Sequence, residues 1–388
     1  MFRLSRFIDE IVAPTPVGPR RNPPGPVVIW NLTRRCNLTC QHCYSVSTDT
    51  YFPGELETDE VFRVLDDLKA SRVPAIILSG GEPLLRTDIF DIGARARNLG
   101  FHVALSTNGT LIDARNIDAI AACGFNYVGI SLDGLAATHD RFRRHDGAFE
   151  TSLYGLALCR AHNLKTGLRY TLTAQNAHDL PALLALAERE NIARFYLSHL
   201  NYAGRGGKNR LKDAHVQRTR EAMDLLFETA LNARQQGRAW ECTTGNNDAD
   251  GVYFLHWTRR RFPEAAAHIE AKLRQWGGNA SGVNVANIDN LGNVHPDTMW
   301  WSHTLGNVRQ RAFGDIWQDI SDPLLAGLKR HPRAVGGRCG ACACLDLCNG
   351  NTRTRALQQF NDAWAEDPGC YLTDEEIGLA DVEAATHE

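Results

Sequence analysis

Long hydrophobic runs and an excess of charge of one sign are both missing from this 388-residue sequence. No apolar segment approaches the roughly 20 residues that span a bilayer. The 42 basic and 45 acidic side chains leave a net charge of −3, too small to attract nucleic acid or an anionic membrane. Residues 1–26 lack the apolar stretch and cleavage site of a secretory signal, so we expect a cytoplasmic protein without nucleic-acid or membrane partners.

Cysteine, by contrast, is abundant. The chain has 11 cysteines, and an odd number in a chain of this length disfavours a secreted disulfide framework. Seven of them fall into an N-terminal and a C-terminal group, a pattern that in a reducing compartment favours metal binding. Cys123 and Cys159 lie in helical, apolar contexts and are predicted to be buried thiols, whereas the context of Cys242 supports no prediction.

Short apolar, β-branched runs alternate with helical segments from Val27 onward, which predicts βαβ units and a parallel sheet. Six such strands are too few for a closed eight-stranded barrel but suit a curved, open one. Polar and glycine-rich residues follow the strands, so a ligand site is expected at their carboxyl ends. The predicted strands are 27–33, 75–80, 102–108, 127–133, 166–172 and 194–200.

The composition predicts three regions along the chain. Residues 1–26 form an N-terminal, proline-rich arm, 27–240 the α/β core domain, and 241–388 a small cysteine-rich C-terminal domain. A charged helix at about 212–236 precedes the boundary, and a hairpin with its turn at 290–293 follows it.

The N-terminal group consists of Cys36, Cys40 and Cys43, in the spacing C-x3-C-x2-C directly after the first predicted strand. Thiolate is the ligand that iron–sulfur clusters prefer. Three thiolates leave one iron of a 4Fe–4S cluster open, and an open coordination position is typical of catalytic sites. Zinc is the alternative, but it needs a fourth ligand, and His42 is poorly placed beside Cys43.

Several further motifs follow the triad in order: Tyr44, SGGEPLL at 79–85, STNGT at 106–110 and SLDG at 131–134. Together they resemble the radical S-adenosylmethionine (SAM) superfamily. The resemblance implies a partial (β/α)6 barrel that holds a 4Fe–4S cluster at the triad and binds SAM at the open iron. A low-potential donor such as flavodoxin or ferredoxin reduces the cluster, which cleaves SAM to methionine and a 5′-deoxyadenosyl radical that abstracts hydrogen from the substrate.

The same resemblance implies a set of SAM contacts. The two glycines of the SGGEPLL motif let the backbone approach the ligand closely. Glu82 accepts hydrogen bonds from the methionine ammonium, Ser131 contacts the ribose, and the Arg143 guanidinium pairs with the SAM carboxylate. The implied contacts are Gly80, Gly81, Glu82, Asn108, Ser131 and Arg143.

The C-terminal cysteines resemble the SPASM or shorter twitch extensions that bind auxiliary clusters. Cys339, Cys342, Cys348 and Cys370 give four thiolates and a closed site. Cys344 is an alternative to Cys342 or Cys348, and structural zinc is the alternative metal. A full extension carries another cysteine where this chain has Asp297, and residues 245–338 contain none. We therefore expect one auxiliary 4Fe–4S cluster, which makes two clusters in all.

Segments at 201–209, 243–251 and 293–309 extend the resemblance to radical SAM enzymes of haem d1 biosynthesis. That implies an iron tetrapyrrole substrate of the didecarboxysirohaem type, from which two propionate side chains are removed. A flat macrocycle with carboxylates needs an apolar slot with a cationic rim. The candidates for that slot and rim are Trp257, Trp300, Trp301, Arg205, Arg210, Arg259, Arg260, Arg261, His295 and His303.

For these side chains, ordinary packing or a solvated helix face is the alternative interpretation. Three other functions compete with haem d1 biosynthesis: a related haem-pathway enzyme acting on an iron porphyrinoid, a peptide-modifying SPASM-type enzyme, and a non-catalytic iron–sulfur carrier. The last has no use for the SAM motifs. The sequence identifies no catalytic acid or base.

Overall fold

The computed structural model describes residues 1–19 and 24–379. Its strands belong to one sheet of ten, in the order β10-β9-β8-β1-β2-β3-β4-β5-β6-β7. Adjacent strands from β8 through β1 to β7 are parallel, whereas β9 and β10 are antiparallel additions beside β8. The strands are β1 (Val27–Asn31), β2 (Ala75–Ser79), β3 (His102–Thr107), β4 (Tyr127–Ser131), β5 (Thr166–Leu172), β6 (Arg194–His199), β7 (Glu241–Gly245), β8 (Val285–Ile288), β9 (Asn293–His295) and β10 (Gly306–Asn307).

The six predicted strands are confirmed as β1 to β6, and the predicted hairpin is confirmed as β8 and β9. Strand β7, which pairs with β6, and the parallel pairing of β8 with β1 were not expected. The polar sequence ECTTG of β7 lacks the apolar run typical of a buried strand, and β8 has only four residues. The predicted boundary between residues 240 and 241 therefore separates strands that share one sheet.

Helices connect the strands and flank the sheet, and the charged helix expected near 212–236 is α9. In the described residues no helix is both long enough and apolar enough to cross a membrane. The α-helices of the described residues are α1 (Leu4–Val12), α2 (Thr58–Ala70), α3 (Ile89–Asn98), α4 (Ile117–Ala122), α5 (Ala136–Arg143), α6 (Ala148–Ala161), α7 (Leu180–Arg189), α8 (Arg205–Lys208), α9 (Val216–Gln235), α10 (Ala249–Arg261), α11 (Ala266–Trp276), α12 (Phe313–Gln318), α13 (Pro323–Leu328), α14 (Gly337–Gly340), α15 (Leu345–Cys348) and α16 (Arg353–Phe360).

Alternation along the strands divides the sheet into two faces, because successive side chains of a strand point to opposite sides. On β1, Val28 and Trp30 are fully buried in the hydrophobic core, whereas Val27 and Ile29 line an internal cavity. The sheet thus packs one face against helices and encloses a cavity with the other, as expected for the partial barrel.

The N-terminal region is more ordered than an extended arm. Phe2 pairs with Thr244 of β7 through two backbone hydrogen bonds of 2.9 and 2.8 Å, and α1 packs against α9. The proline-rich residues that follow α1 form no helix or strand where they are described, and Arg20 to Pro23 lie outside the described residues. Residues 380–388 of the predicted C-terminal domain also lie outside them.

Candidate active site

The cavity enclosed by the sheet has a volume of about 1070 Å³. The predicted ligand site lies in its wall, because the carboxyl ends of parallel strands meet at one edge of the sheet. All three cysteines of the N-terminal group line this cavity. Five of the six implied SAM contacts line it with them: Gly80, Gly81, Asn108, Ser131 and Arg143.

The cysteine loop leaves β1 and brings its three sulfurs together with hydrogen-bond donors. The Leu38 N–H donates to Cys36 Sγ over 3.4 Å, an Arg143 Nη1–H donates to Cys40 Sγ over 3.4 Å, and Cys43 Sγ lies 3.2 Å from the hydroxyl of Ser45. Burial raises the pKa of the Cys36 and Cys40 thiols. Metal ligation offsets that effect, because thiolate ligands bind in the deprotonated form. The donor set therefore fits an iron–sulfur cluster.

Zinc at the triad would need a fourth protein ligand. A 4Fe–4S cluster does not, because each thiolate binds a different iron and one iron is left open. His42, the possible fourth zinc ligand, stacks on Phe142 with its ring centroid 4.7 Å away.

The two glycines of the SGGEPLL motif pack against the backbone that leads into Cys36. The Gly81 N–H donates to the Thr33 carbonyl over 2.6 Å, and the Glu82 N–H donates to the Arg35 carbonyl over 2.8 Å. A Cβ added to Gly80 or Gly81 would overlap these carbonyl oxygens. Both glycines line the cavity, but the close approach that requires them in this structure is to the cysteine loop.

Glu82 differs from the prediction. Its carboxylate is fully buried and accepts three hydrogen bonds from the protein: from the Thr107 hydroxyl and the Asn108 N–H, each over 2.8 Å, and from the Leu84 N–H over 3.1 Å. Burial raises the pKa of Glu82 to about 7, although these hydrogen bonds act in the opposite direction. Glu82 therefore connects the ends of β2 and β3 and is absent from the cavity lining, unlike the other five implied SAM contacts.

Arg143 lies at the end of α5 with its guanidinium in the cavity wall. One Nη pairs with the carboxylate of Asp133 and the other donates to Cys40 Sγ, while Nε is buried without a hydrogen-bond partner. Burial alone would raise the pKa of Asp133, but the Arg143 guanidinium, the two nearby histidines and the Thr171 N–H together lower it. Arg143 thus lies beside the predicted cluster with its guanidinium already paired to Asp133, and its contact with the SAM carboxylate stays a prediction.

Asn108 and Ser131 occupy the ends of the neighbouring strands β3 and β4. The Asn108 amide donates to Asn37 Oδ1 over 2.9 Å and lies 4.0 Å from Cys36 Sγ. Asn108 therefore connects the third strand to the cysteine loop, and Ser131 borders the same cavity.

Arg169 and His199 are among the side chains of the cavity wall that were not predicted. Arg169 points inward from β5, where it donates to the Ser106 hydroxyl and lies over the Tyr196 ring at 5.4 Å. His199, the last residue of β6, lines the cavity, and its Nε2 lies 3.0 Å from the buried carboxylate of Asp250. The position of Arg169 within the otherwise uncharged strand sequence TGLRYTL could have indicated from the sequence that this side chain has a functional role.

Comparisons with known proteins agree with this geometry. Residues 30–187 match the family model described as the radical SAM superfamily. The chain is 54% identical, over 100% of its length and 96% of the relative, to a pre-heme d1 synthase of Dinoroseobacter shibae. The chain belongs to the radical SAM superfamily. It is also 44% identical, over 91% of its length and 89% of the relative, to an Fe-coproporphyrin III synthase of Methanosarcina barkeri.

The fold of this radical SAM enzyme is also that of a solved structure, Streptococcus suis SuiB bound to S-adenosylmethionine. The TM-score is 0.69 at 17% identity, over 90% of this chain and 78% of that one. A 4Fe–4S cluster with SAM supplies the 5′-deoxyadenosyl radical in this superfamily. In this chain the triad would hold that cluster, and Arg143 beside Cys40 would orient the SAM carboxylate.

The C-terminal cysteines of this radical SAM chain also come together in space. Cys339, Cys342, Cys344, Cys348 and Cys370 all line one small cavity beside α10. Three of the sulfurs accept hydrogen bonds: Cys339 from the Asp367 N–H over 3.3 Å, Cys342 from the Cys344 N–H over 3.3 Å, and Cys370 from Arg338 over 3.5 Å. These donors favour thiolates, so the site fits an auxiliary cluster. Cys344 borders the same cavity and remains an alternative ligand.

Asp297, which stands where a full extension has a cysteine, is half-buried in the wall of the large cavity. Its carboxylate accepts the Met299 N–H over 2.7 Å, and burial raises its pKa. Asp297 thus has a protein partner at this position, and one auxiliary cluster stays the prediction.

We expect replacement of Cys370 by alanine to lower the iron content from about eight to about four per chain while SAM cleavage is retained. We expect the auxiliary cluster to accept the electron that is left after hydrogen abstraction. Without that cluster, the amount of completed product should fall while 5′-deoxyadenosine still forms. Iron analysis and low-temperature EPR measure both effects. Cys344→Ala is the matched control and should retain about eight iron.

If Cys344→Ala loses iron and Cys348→Ala does not, the fourth ligand of the auxiliary cluster is Cys344 and not Cys348. Stoichiometric zinc bound by these cysteines in the purified protein would contradict an iron–sulfur site altogether.

None of the three tryptophans that were candidates for an aromatic slot lines the cavity, which favours the alternative of ordinary packing. Trp257 is buried in the core and stacks on Phe254 at 5.4 Å. Trp300 is buried, and Trp301 packs against Tyr44 and His295. Sequence alone cannot tell these roles apart, because an aromatic ring fills a core as readily as it stacks on a ligand.

None of the candidate rim residues lines the cavity either. Arg259 pairs with Glu270 over 2.8 Å, and it shares the outer surface of α10 with Arg260 and Arg261. Arg205 donates to the Cys40 carbonyl over 2.7 Å, whereas Arg210 is exposed. Neither predicted histidine lines the cavity, since His295 bonds to the His303 carbonyl and to Asp289, and His303 bonds to Asp322.

Proposed function

We propose that this enzyme acts in haem d1 biosynthesis and removes two propionate side chains from an iron tetrapyrrole of the didecarboxysirohaem type. The observation that carries the proposal is the 54% identity, over the full length of the chain, to a relative named pre-heme d1 synthase. SAM and two 4Fe–4S clusters are the proposed cofactors, and a flavodoxin or ferredoxin is the proposed electron donor. The auxiliary cluster would relay an electron rather than bind substrate, because four thiolates close its site.

The cavity supports a large second ligand beside SAM. Its volume of about 1070 Å³ is at the upper end of the roughly 300–1000 Å³ of drug-sized ligand pockets. The wall carries the Arg169 guanidinium, which suits a carboxylate because its planar fork matches two oxygens. Arg169 therefore replaces the arginines of 205–210 and 259–261 as the expected partner of a substrate carboxylate.

Anaerobic incubation with SAM, reductant and didecarboxysirohaem tests the proposal. We expect an absorption shift on binding and a product whose mass shows the loss of both propionates. Arg169→Gln removes a charged hydrogen bond of about 1.5–3 kcal/mol, so the tetrapyrrole affinity should fall roughly ten- to hundredfold. Arg260→Gln, on the outer surface of α10, is the matched control and should bind as the unmodified protein does.

If SAM affinity falls in Arg169→Gln while tetrapyrrole affinity is unchanged, Arg169 belongs to the SAM site. Modification of a peptide by a protein that ignores the tetrapyrrole would overturn the proposed function.

A second candidate is side-chain removal from another iron porphyrinoid. It is favoured by the 44% identity to a relative named Fe-coproporphyrin III synthase. Both substrates bear carboxylates on a flat macrocycle, so the same wall arginine serves either. Parallel incubations with the precursor of each product decide between them, because only the true substrate should couple 5′-deoxyadenosine formation to product.

A further inference from the structure

The outer side of the cysteine loop carries a group of basic side chains that neither the SAM site nor the cavity uses. Four of them are exposed and the fifth is half-buried. Two belong to the C-terminal end of α5, and three belong to the segment around α8, of which the sequence analysis named only Arg210 as a substrate candidate. This basic patch consists of Arg141, Arg144, Lys208, Arg210 and Lys212.

Both parts of the basic patch meet at Gln41, the residue after Cys40. The Gln41 side-chain amide donates to the Arg141 carbonyl over 3.0 Å, and Lys212 Nζ donates to Gln41 Oε1 over 2.9 Å. The Asn209 amide donates to the Gln41 carbonyl over 2.9 Å. Both parts of the basic patch therefore contact a residue, Gln41, that directly follows the predicted cluster ligand Cys40 in the chain.

These cations lack the ion pairs that most exposed arginines of this chain have. In the described residues, Arg141, Arg144, Lys208 and Arg210 have no carboxylate within 4.0 Å, in contrast to Arg259 beside Glu270. The neighbouring Asp140 accepts the N–H groups of Gly147 and Phe149 instead. Since the whole chain has a net charge of −3, this local excess of unpaired positive charge is not a consequence of composition.

We propose that the basic patch is the docking surface for an acidic one-electron carrier protein that reduces the cluster. The inner side of the triad lines the cavity that SAM and substrate would fill, so a protein donor has to approach from outside. Positive charge there steers an acidic partner and orients it toward the shortest route to a cluster ligand. The inference rests on membership of the radical SAM superfamily and not on the tetrapyrrole substrate.

The test compares a protein donor with a small one. Two charge-reversed double variants are used, Lys208→Glu/Arg210→Glu and Arg141→Glu/Arg144→Glu. Each is either mixed anaerobically with reduced flavodoxin or illuminated with 5-deazaflavin. Reduction is followed as bleaching of the cluster absorption. With flavodoxin we expect reduction at least tenfold slower than in the unmodified protein, because steered association gains roughly ten- to a thousandfold. With 5-deazaflavin the rates should be equal. The matched control is Arg259→Glu/Arg260→Glu, with the same charge change on α10.

Salt adds a second readout, since screening should slow flavodoxin reduction of the unmodified protein but hardly change that of the charge-reversed variants. Equal flavodoxin rates in all proteins would overturn the proposal, as would slower reduction by both donors, which indicates a distorted cysteine loop. Weaker tetrapyrrole binding together with a normal rate of cluster reduction would overturn the proposal and indicate that Arg210 contacts the substrate. If charge reversal prevents folding, the neutral pair Lys208→Gln/Arg210→Gln repeats the test.

Discussion

Replacement of Cys36, Cys40 and Cys43 together by alanine is expected to abolish SAM cleavage and leave about four iron per chain. His42, the possible fourth ligand beside the triad, is stacked on Phe142. Without the cluster there is no electron to cleave SAM. Iron and sulfide analysis together with 5′-deoxyadenosine formation measure the result.

A matched control uses cysteines that lie elsewhere in the core. Cys123 and Cys159 are buried, as predicted, and burial raises the pKa of Cys123 to about 11 and that of Cys159 to about 12. The Cys123→Ala/Cys159→Ala protein should keep about eight iron and full SAM cleavage. If the triple variant still cleaves SAM, the assignment of the radical SAM cluster to this loop is wrong.

Replacement of Arg143 by alanine should lower SAM affinity roughly ten- to hundredfold, because it removes a charge-assisted hydrogen bond of about 1.5–3 kcal/mol. The structure adds a second effect. Asp133 is fully buried and pairs with this guanidinium, so its loss leaves an uncompensated charge and should lower the free energy of unfolding by about 3–5 kcal/mol. Calorimetric SAM titration and denaturant unfolding measure the two effects separately.

The double variant Arg143→Ala/Asp133→Asn separates the two roles. Removal of the unpaired carboxylate should restore part of the stability, whereas SAM affinity should stay low. Because Arg143 lowers the pKa of Asp133, the pair stabilises the fold above the ordinary aspartate pKa of about 3.9, and this contribution is lost as the pH falls below it. If SAM affinity is unchanged in Arg143→Ala, the guanidinium does not contact SAM, and its role is only to pair with Asp133.

Local spacing determined the parts of this protein that the sequence predicted correctly. Strands β1 to β6 each carry residues that favour a strand, β-branched in β1 to β5 and aromatic in β6, and such a run fits a buried strand. The order of the strands fixes which loops share the carboxyl edge. Five of the six implied SAM contacts accordingly line the same cavity as the cysteine triad.

Tertiary structure alone decided which charged and aromatic side chains face the cavity. Glu82 has protein partners because β3 brings Thr107 and Asn108 next to it, and the arginines of α10 lie on its outer surface. Arg169 and His199 face inward because of their positions in strands whose two faces look alike in sequence. A side chain's partner depends on which distant segment packs against it, and that is set by the whole sheet rather than by local spacing.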